Sequence, residues 1–422
     1  MNVLYFHQHF TTPQGSTGTR SYEMARRLIE RGHRVTMVCG SNGMAKSGLR
    51  GDFRRGSRDG DVNGIHVIEF LIPYSNYDGL LKRALLFFKF ALRSTKVALT
   101  RDYDLLFATS TPLTAAIPGI VMKLFRAKPF VFEVRDLWPE LPKAMGIVKN
   151  PIVLFAMGVL ERAAYRLADQ CIGLSPGIVE GIQSKSVPTN RVTMIPNGCD
   201  LDLFKPADGK GWERDGIVPG DFLAIFSGAQ GLANGLDAVL DAGVVLRDRG
   251  RSDIKLLLVG DGSVKPRLVE RVQRERISNV VFFSPVPKTE MAKITARCHV
   301  GLMILANVPA FYFGTSPNKF FDYIASGLPV INNYPGWLAG LISQYECGTV
   351  VAPNEPEQFA DALIELASNH PKFIRFGKNA RALAETKFAR DILADQFLEC
   401  IEHTHSRFIA KRSKKSIPAS KS

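Results

Sequence analysis

Short apolar runs recur along most of this chain, each closed by Gly, Ser, Asn or Pro, with longer amphipathic stretches between several of them. "NVLYF", "RVTMVCG", "HVIEFLI", "DLLFATS", "PFVFEVR", "QCIGLS" and "RVTMIPNG" make a first series. Between two of these, "RSYEMARRLIERGH" has helical spacing and stops at Gly32. Strands that are apolar throughout must be covered on both faces, so the pattern calls for parallel sheets with helices on either side. A second series, "FLAIFSG", "KLLLVGDG", "NVVFFSPV", "VGLMIL", "LPVINN" and "GTVVA", follows the polar stretch "FKPADGKGWERDGIVPGD". That stretch, rich in Gly and Asp, reads as a linker. A length of 422 residues also exceeds one ordinary core. The expected class is α/β, with two halves meeting near residues 206–220.

With 45% hydrophobic and 22% charged residues, most of the chain should fold as a soluble globule. A formal charge of +14 draws anions to it, whether nucleic acid, anionic lipid or phosphorylated substrate, and does not choose among them. The cysteines Cys39, Cys171, Cys199, Cys298, Cys347 and Cys400 lie far apart with no CxxC. Neither a disulfide framework nor a zinc site is expected, and a reducing cytosol suits them. His7 and His9 alternate along a strand and can point the same way, but no third ligand accompanies them, so no metal is expected. "MNVLYFHQHF" enters a strand directly, without the pattern of a signal peptide. No apolar run reaches the ~20 residues needed to span a bilayer.

Ligands of doubly wound domains bind at the carboxyl ends of the strands. The glycine-rich strand-to-helix junctions should therefore face a shared crevice. The first, "TTPQGSTGTRSYEMARRL", carries Gly15 and Gly18 before a helix that begins near Arg20. The second, "FSGAQGLANGLDAVLDA", carries Gly228 and Gly231, and "LVGDGSVKPRL" is a third. Such glycines let a ligand approach the backbone, and a helix N-terminus favours negative charge. Each junction alone is equally compatible with a plain flexible turn. In "SPNKFFDYIASGLPV", Ser316 suits an N-cap, Pro317 the first helical position and Gly327 the stop. Helical spacing then places Asn318, Lys319 and Asp322 near one face.

"RVTMIPNGCDLDLFKP", "LLLVGDGSVKPRL", "VVFFSPVPKTEMAKITARCHVGLM" and "SPNKFFDYIASGLPVI" occur in this order, preceded by "GSTGTRSYEMARRLIERGHRVTMVCG" and "EVRDLWPELP". Together they resemble the retaining glycosyltransferases of family 4. The likeness is greatest to the bacterial branch that builds O-antigen, capsule or colanic acid, N-acetylfucosamine transferases included. It covers nearly all of the chain except the basic C-terminal segment. The resemblance implies a GT-B fold, two Rossmann-like domains whose parallel sheets face a central cleft. These would be residues 1–205 for the acceptor and 206–388 for the nucleotide sugar. A final helix, 389–405, would return to the first domain, and 406–422 would be a disordered basic tail.

The resemblance also implies roles. Asp322 matches the second acid of the family's paired-glutamate signature and would accept hydrogen bonds from ribose hydroxyls. Pro287 and Lys288 match the loop that meets the base, and Gly228 and Gly231 the turn beside the diphosphate. The first acid of the signature falls at Gly314, and the basic pair near the glycine turn is replaced by Gln230 and Asn234. Lys319, backbone N–H groups and Arg20 from the other domain are the candidate substitutes. The family's catalytic-loop histidine is replaced by Arg135, followed by Asp136. Asp136 would orient or deprotonate the acceptor hydroxyl and Arg135 would stabilise phosphate charge; a plain ion pair at a loop is the alternative. The expected catalytic residues are thus Asp136, Arg135 and Lys319. The donor-binding set is Gly15, Gly18, Arg20, Gly228, Gly231, Pro287, Lys288, Asn318 and Asp322.

Two DxD triplets, Asp59-Gly60-Asp61 in a basic glycine-rich loop and Asp200-Leu201-Asp202 in a turn, read as loop chemistry rather than metal ligands. No cofactor is expected beyond the nucleotide sugar itself, with UDP favoured as the nucleotide. The acceptor would be a polyprenyl-diphosphate-linked glycan, and the location cytoplasmic or peripheral on the inner face of the cell membrane. "LLKRALLFFKFALRSTKVAL" carries Lys82, Lys89, Arg93 and Lys96 on one stripe beside Leu and Phe. It suits a membrane interface and burial against the first sheet equally well. Two rivals remain: a GT-B nucleotide-sugar epimerase, and a basic nucleic-acid-binding protein. The second is disfavoured because the cations are scattered instead of forming a stripe with aromatics.

Overall fold

The computed structural model describes residues 1–42, 45–75, 78–206 and 216–416. The expected linker falls largely on 207–215, outside the described residues. The first domain holds an eight-stranded sheet of order β3-β4-β2-β1-β5-β6-β7-β8. Its strands are β1 (Asn2–Phe6), β2 (Arg34–Asn42), β3 (Ser57–Val62), β4 (Ile65–Tyr74), β5 (Leu105–Thr109), β6 (Phe130–Val134), β7 (Gln170–Gly173) and β8 (Val192–Met194). The second domain holds a six-stranded sheet of order β11-β10-β9-β12-β13-β14. These strands are β9 (Phe222–Ser227), β10 (Ile254–Val259), β11 (Val280–Phe283), β12 (Val300–Met303), β13 (Val330–Asn332) and β14 (Gly348–Val350). All pairings are parallel except that of β3 with β4.

The apolar runs became the inner strands for the reason their composition gives: every residue of β5 and β6 is buried between helical layers. β3 is the exception. Asp59-Gly60-Asp61, expected in a loop, lies instead on an antiparallel edge strand. The turn into β4 is Asn63-Gly64, with both φ positive at 55° and 83°. That is the left-handed pair a tight hairpin needs. In it the Gly64 N–H donates to Asp61 Oδ1 at 3.0 Å.

The C-terminal helix Arg390–Ser416 returns to the first domain, where Leu393, Phe397 and Ile401 join its core and Phe397 meets Phe107 at 5.1 Å. It does not stop at 405. Arg407, expected in a disordered tail, donates to the Asp169 carbonyl at 3.0 Å and to Gln170 Oε1 at 3.2 Å. Residues 417–422 lie outside the described residues. In each sheet the chain reverses direction between two neighbouring strands, β1 and β5 in the first and β9 and β12 in the second. The crevices where ligands bind open at those reversals.

Candidate active site

A cleft of about 350 Å³ lies between the carboxyl ends of the two sheets. The first domain lines it with His7 and His9 after β1, Thr17 and Gly18 before the helix Arg20–Glu30, and Thr111 after β5. Arg135 and Asp136 after β6, Leu174 after β7 and Asn197 after β8 complete that wall. The second domain contributes Leu305 after β12 and the segment Thr315, Ser316, Pro317 and Asn318.

Burial sets the chemistry of this wall. Arg135 Nη1 lies 3.1 Å from His7 Nε2. Burial, reinforced by the Arg135 charge, keeps the His7 pKa well below its ordinary range. The imidazole is therefore neutral and accepts the Arg135 hydrogen bond at Nε2, which leaves its own hydrogen on Nδ1. His9 is pushed down to about 4 by burial and by Arg135. Asp136 accepts from Thr111 Oγ1 at 2.9 Å, and burial raises its pKa. Among the described residues, three buried polar atoms of residues that line the cleft have no hydrogen-bond partner: His7 Nδ1, Thr17 Oγ1 and Asn197 Oδ1. Buried polar groups are normally satisfied, so these are free to bind a polar ligand.

The helix Asn318–Ala325 starts one residue later than its sequence suggests. Pro317 takes the N-cap, and Ser316 does not cap. Its hydroxyl instead accepts the Asn197 N–H at 3.1 Å, and its carbonyl accepts from the Asn197 side chain, so it docks the two domains. Asn318 closes on Gly18, where a Cβ would stand 2.5 Å from Asn318 Nδ2. Lys319 turns toward the second domain's glycine junction. Its Nζ donates to Asn234 Oδ1 at 3.0 Å, sits 3.8 Å from the Phe226 ring centre and lies beside Gly228. Burial pulls the ammonium down to about 7. Gly228 is exposed with φ +132°, and its carbonyl fills the space a Cβ on Gly260 would need. Gly231 faces open space, and Gln230 is buried in the core, its Nε2 donating to Leu258.

Asp322 sits elsewhere, in a charged network at the domain junction. Lys288 Nζ bonds Asp200 Oδ2 at 2.5 Å and Thr19 Oγ1 at 3.2 Å, and lies 4.0 Å from Asp322 Oδ1. The Lys288 N–H donates to the Gly15 carbonyl at 3.3 Å, while Pro287 beside it is exposed. Arg390 reaches the other Asp200 oxygen at 3.3 Å. Burial lifts Asp322 to about 6, with Lys288 pulling the other way.

Arg20, expected among the donor-binding residues, lies in the core of the first domain and not on the cleft wall. Arg20 is fully buried, paired with Glu133 at 2.9 Å, and its other nitrogens donate to the Ile195 and Pro196 carbonyls. Its cation cannot reach a phosphate in the cleft; it holds the loop that carries Asn197. Burial works against the Glu133 carboxylate, yet Arg20 and Arg135 still hold its pKa below the ordinary range. Apart from Arg20, the expected residues fall into three places: Gly18, Asn318, Arg135 and Asp136 in the cleft, Lys319, Gly228 and Gly231 at the glycine turn, and Gly15, Pro287, Lys288 and Asp322 at the domain junction. Sequence reasoning gave no binding role to His7, Thr17, Thr111, Asn197 or Ser316. Position at a strand's carboxyl end was the signal available for His7, Thr111 and Asn197. Among the described residues no group of three His, Cys, Asp or Glu side chains is placed to hold a metal ion.

Residues 15–198 match the family described as glycosyl transferase 4-like domain, and residues 222–369 match glycosyl transferases group 1. Two glycosyl transferase domain families thus match in succession along the two halves of the chain. Among curated relatives, the Escherichia coli O-antigen chain mannosyltransferase C is 24% identical over 60% of this chain and 65% of its own length. A D-inositol 3-phosphate glycosyltransferase 2 of Catenulispora acidiphila is 28% identical over 45% of each. The matched stretches thus span less than two thirds of either relative. Solved structures share the GT-B fold of this chain. Sucrose-phosphate synthase from Thermosynechococcus elongatus superposes with a TM-score of 0.75 at 17% identity, covering 96% of this chain and 99% of that one. WaaG, a glycosyltransferase involved in lipopolysaccharide biosynthesis, gives 0.67 at 18% identity over 94% and 99%. Anabaena Alr3699/HepE in complex with UDP-glucose gives 0.67 at 17% over 96% and 100%.

Proposed function

We propose that this chain is a retaining glycosyltransferase that moves a sugar from a UDP-sugar onto a lipid-linked glycan in bacterial surface polysaccharide synthesis. The observation that carries this reading is the cleft itself. It lies at the carboxyl ends of both sheets, with Arg135, Asp136 and three unpartnered buried polar atoms around a space suited to a sugar ring. The nucleotide would lie along the second domain, its diphosphate beside Gly228 and Lys319 and its ribose at Asp322. The bond from the anomeric carbon to the diphosphate breaks, and a bond to the acceptor oxygen forms on the same face. The acceptor proton passes to the departing phosphate oxygen, so no protein nucleophile is required. Asp136, fixed by Thr111, orients the acceptor hydroxyl, and Arg135 offsets charge on the leaving group. Polyprenyl diphosphate as the carrier, an N-acetylated amino sugar such as N-acetylfucosamine as the cargo, and independence of metal rest on the family resemblance.

A panel of UDP- and GDP-sugars, read by nucleotide release with and without lipid-linked acceptor, tests the proposal. Release that requires acceptor, with the new linkage keeping the donor's anomeric configuration, is the expected result. Conversion of a nucleotide sugar with no acceptor present would instead assign an epimerase.

A further inference from the structure

The helix Leu80–Thr100 is apolar on two faces. Phe87, Phe90 and Ala91 are buried toward the first sheet. Leu81, Leu85, Phe88 and Leu92 form a second stripe that stands in solvent, Leu81 at 76% and Leu92 at 70% exposure. Helix Ile117–Arg126 packs beside it and ends in exposed Leu124 and Phe125. Helix Pro151–Leu167 packs on that one and exposes Ile152, Phe155 and Val159. Most of the exposed large hydrophobic side chains among the described residues fall on these three neighbouring helices. A water-facing surface of this kind marks an interaction site.

Charge selects the occupant. Lys82, Lys89 and Lys96, seven residues apart and exposed, border the apolar stripe, and Arg126 and Lys149 stand exposed at the ends of the other helices. Lys82 is the one of this row seen in an ion pair, with Asp78 at 2.6 Å. Arg93 is turned away, donating to the Gly56 carbonyl at 2.7 Å over the Phe70 ring. The single acid within the three helices, Glu161, is buried and paired with Lys185 at 3.3 Å. An apolar face with a basic border and no exposed acid within its three helices, Asp102 standing just past the end of the first, complements an anionic lipid leaflet. Among the described residues no helix is long and apolar enough to cross a membrane. The buried side of helix Leu80–Thr100 reaches toward the cleft. Phe87 stacks on Tyr74 at 5.6 Å, and His9, which lines the cleft, lies 4.8 Å from Tyr74.

We propose that these three helices seat the first domain shallowly in an anionic bilayer leaflet, with Leu and Phe among the acyl chains and the lysines at the headgroups. The inference deepens the reading of a lipid-linked acceptor and rests on it for its purpose: a seated face delivers a membrane-held acceptor to the His9 side of the cleft.

The test is cosedimentation of the full chain with phosphatidylcholine vesicles, with and without phosphatidylglycerol, in the absence of donor and acceptor. The wild-type chain should pellet with the anionic vesicles and resist a salt wash. The double substitution Leu81→Ser, Leu92→Ser should lower partition by roughly tenfold or more. Lys89→Gln with Lys96→Gln should lower it about fivefold per lysine and erase the lipid preference. Ile374→Ser, an exposed position on the second domain, should change nothing. A wild-type chain left in the supernatant, or Leu81→Ser, Leu92→Ser pelleting undiminished, overturns the proposal. So does a dimer in light scattering that the same leucine substitutions dissociate, since a second copy would then own the face. Vesicle binding needs no turnover, so its failure leaves the transferase reading standing, and inactivity on every donor leaves the docking result standing.

Discussion

Lys288 Nζ lies 2.5 Å from Asp200 Oδ2 and ties the second domain to the chain segment between the domains. The same ammonium donates to Thr19 of the first domain and lies 4.0 Å from Asp322. The residue expected to meet the base is therefore a three-way fastening at the domain junction. A nucleotide whose ribose is held at Asp322 would bind next to this fastening, so donor binding and domain closure share residues.

Lys288→Met removes the fastening but leaves Asp200 its contact with Arg390. Because Lys288 is mostly buried, the loss should cost about 1–3 kcal/mol of stability. Small-angle scattering should show a larger radius of gyration, and the donor KM should rise. An unchanged radius together with unchanged melting would remove Lys288 from this role.

Two groups on one helix titrate toward each other, and this sets a pH signature. In the proposed ribose role Asp322 accepts hydroxyl hydrogen bonds as a carboxylate, and with a pKa of about 6 it gains that charge as pH rises through 6. In the proposed diphosphate role Lys319 acts as an ammonium, and with a pKa of about 7 it loses that charge as pH rises through 7. The kcat/KM for donor should follow a narrow bell with limbs near these values, since that parameter reports the free enzyme. Asp322→Asn should abolish the acid limb. Lys319→Arg should move the alkaline limb upward, because a guanidinium stays charged. A flat profile between pH 5 and 8, on the order of the ordinary working range, would count against both assignments.

Asp136 is held in the cleft by Thr111 and kept from ready ionisation by burial. Asp136→Asn keeps the size and the contact with Thr111 while removing the charge. Turnover should fall by about 100-fold or more with donor affinity retained, measured by single-turnover assay and by calorimetric UDP titration. Full activity in the variant would make Asp136 a loop-stabilising residue only.

The two-domain architecture was legible because inner parallel strands leave an unbroken apolar signature, as in "LLFAT" and "FVFEV". β3 was not, since an edge strand faces water and "SRDGDV" has no apolar pattern to show; only the Asn63-Gly64 turn betrayed it. Local spacing put Asn318, Lys319 and Asp322 on one helix. It could not show that they serve three places, because that depends on which neighbour each meets across the fold. The burial of Arg20 was hidden for the same reason: its partner Glu133 is remote in sequence.

Gly314 stands where the family signature would put an acid, and the backbone explains why none is there. A Cβ at this position would lie 2.7 Å from the Ala310 carbonyl oxygen, the far side of the short helix Ala310–Phe313. That neighbour is backbone, not a side chain that can swing away. The segment is further pinned at Gly336, where a Cβ would meet the Tyr312 carbonyl at 1.9 Å. Gly314→Glu should therefore fail to restore a second ribose or sugar contact and should cost about 1–3 kcal/mol through overpacking. Gly314→Ala separates shape from charge: it should lower the melting temperature nearly as much, because the clash belongs to Cβ. If Gly314→Glu instead melts like the wild type and lowers the donor KM, the loop has room for the acid and the steric account is wrong.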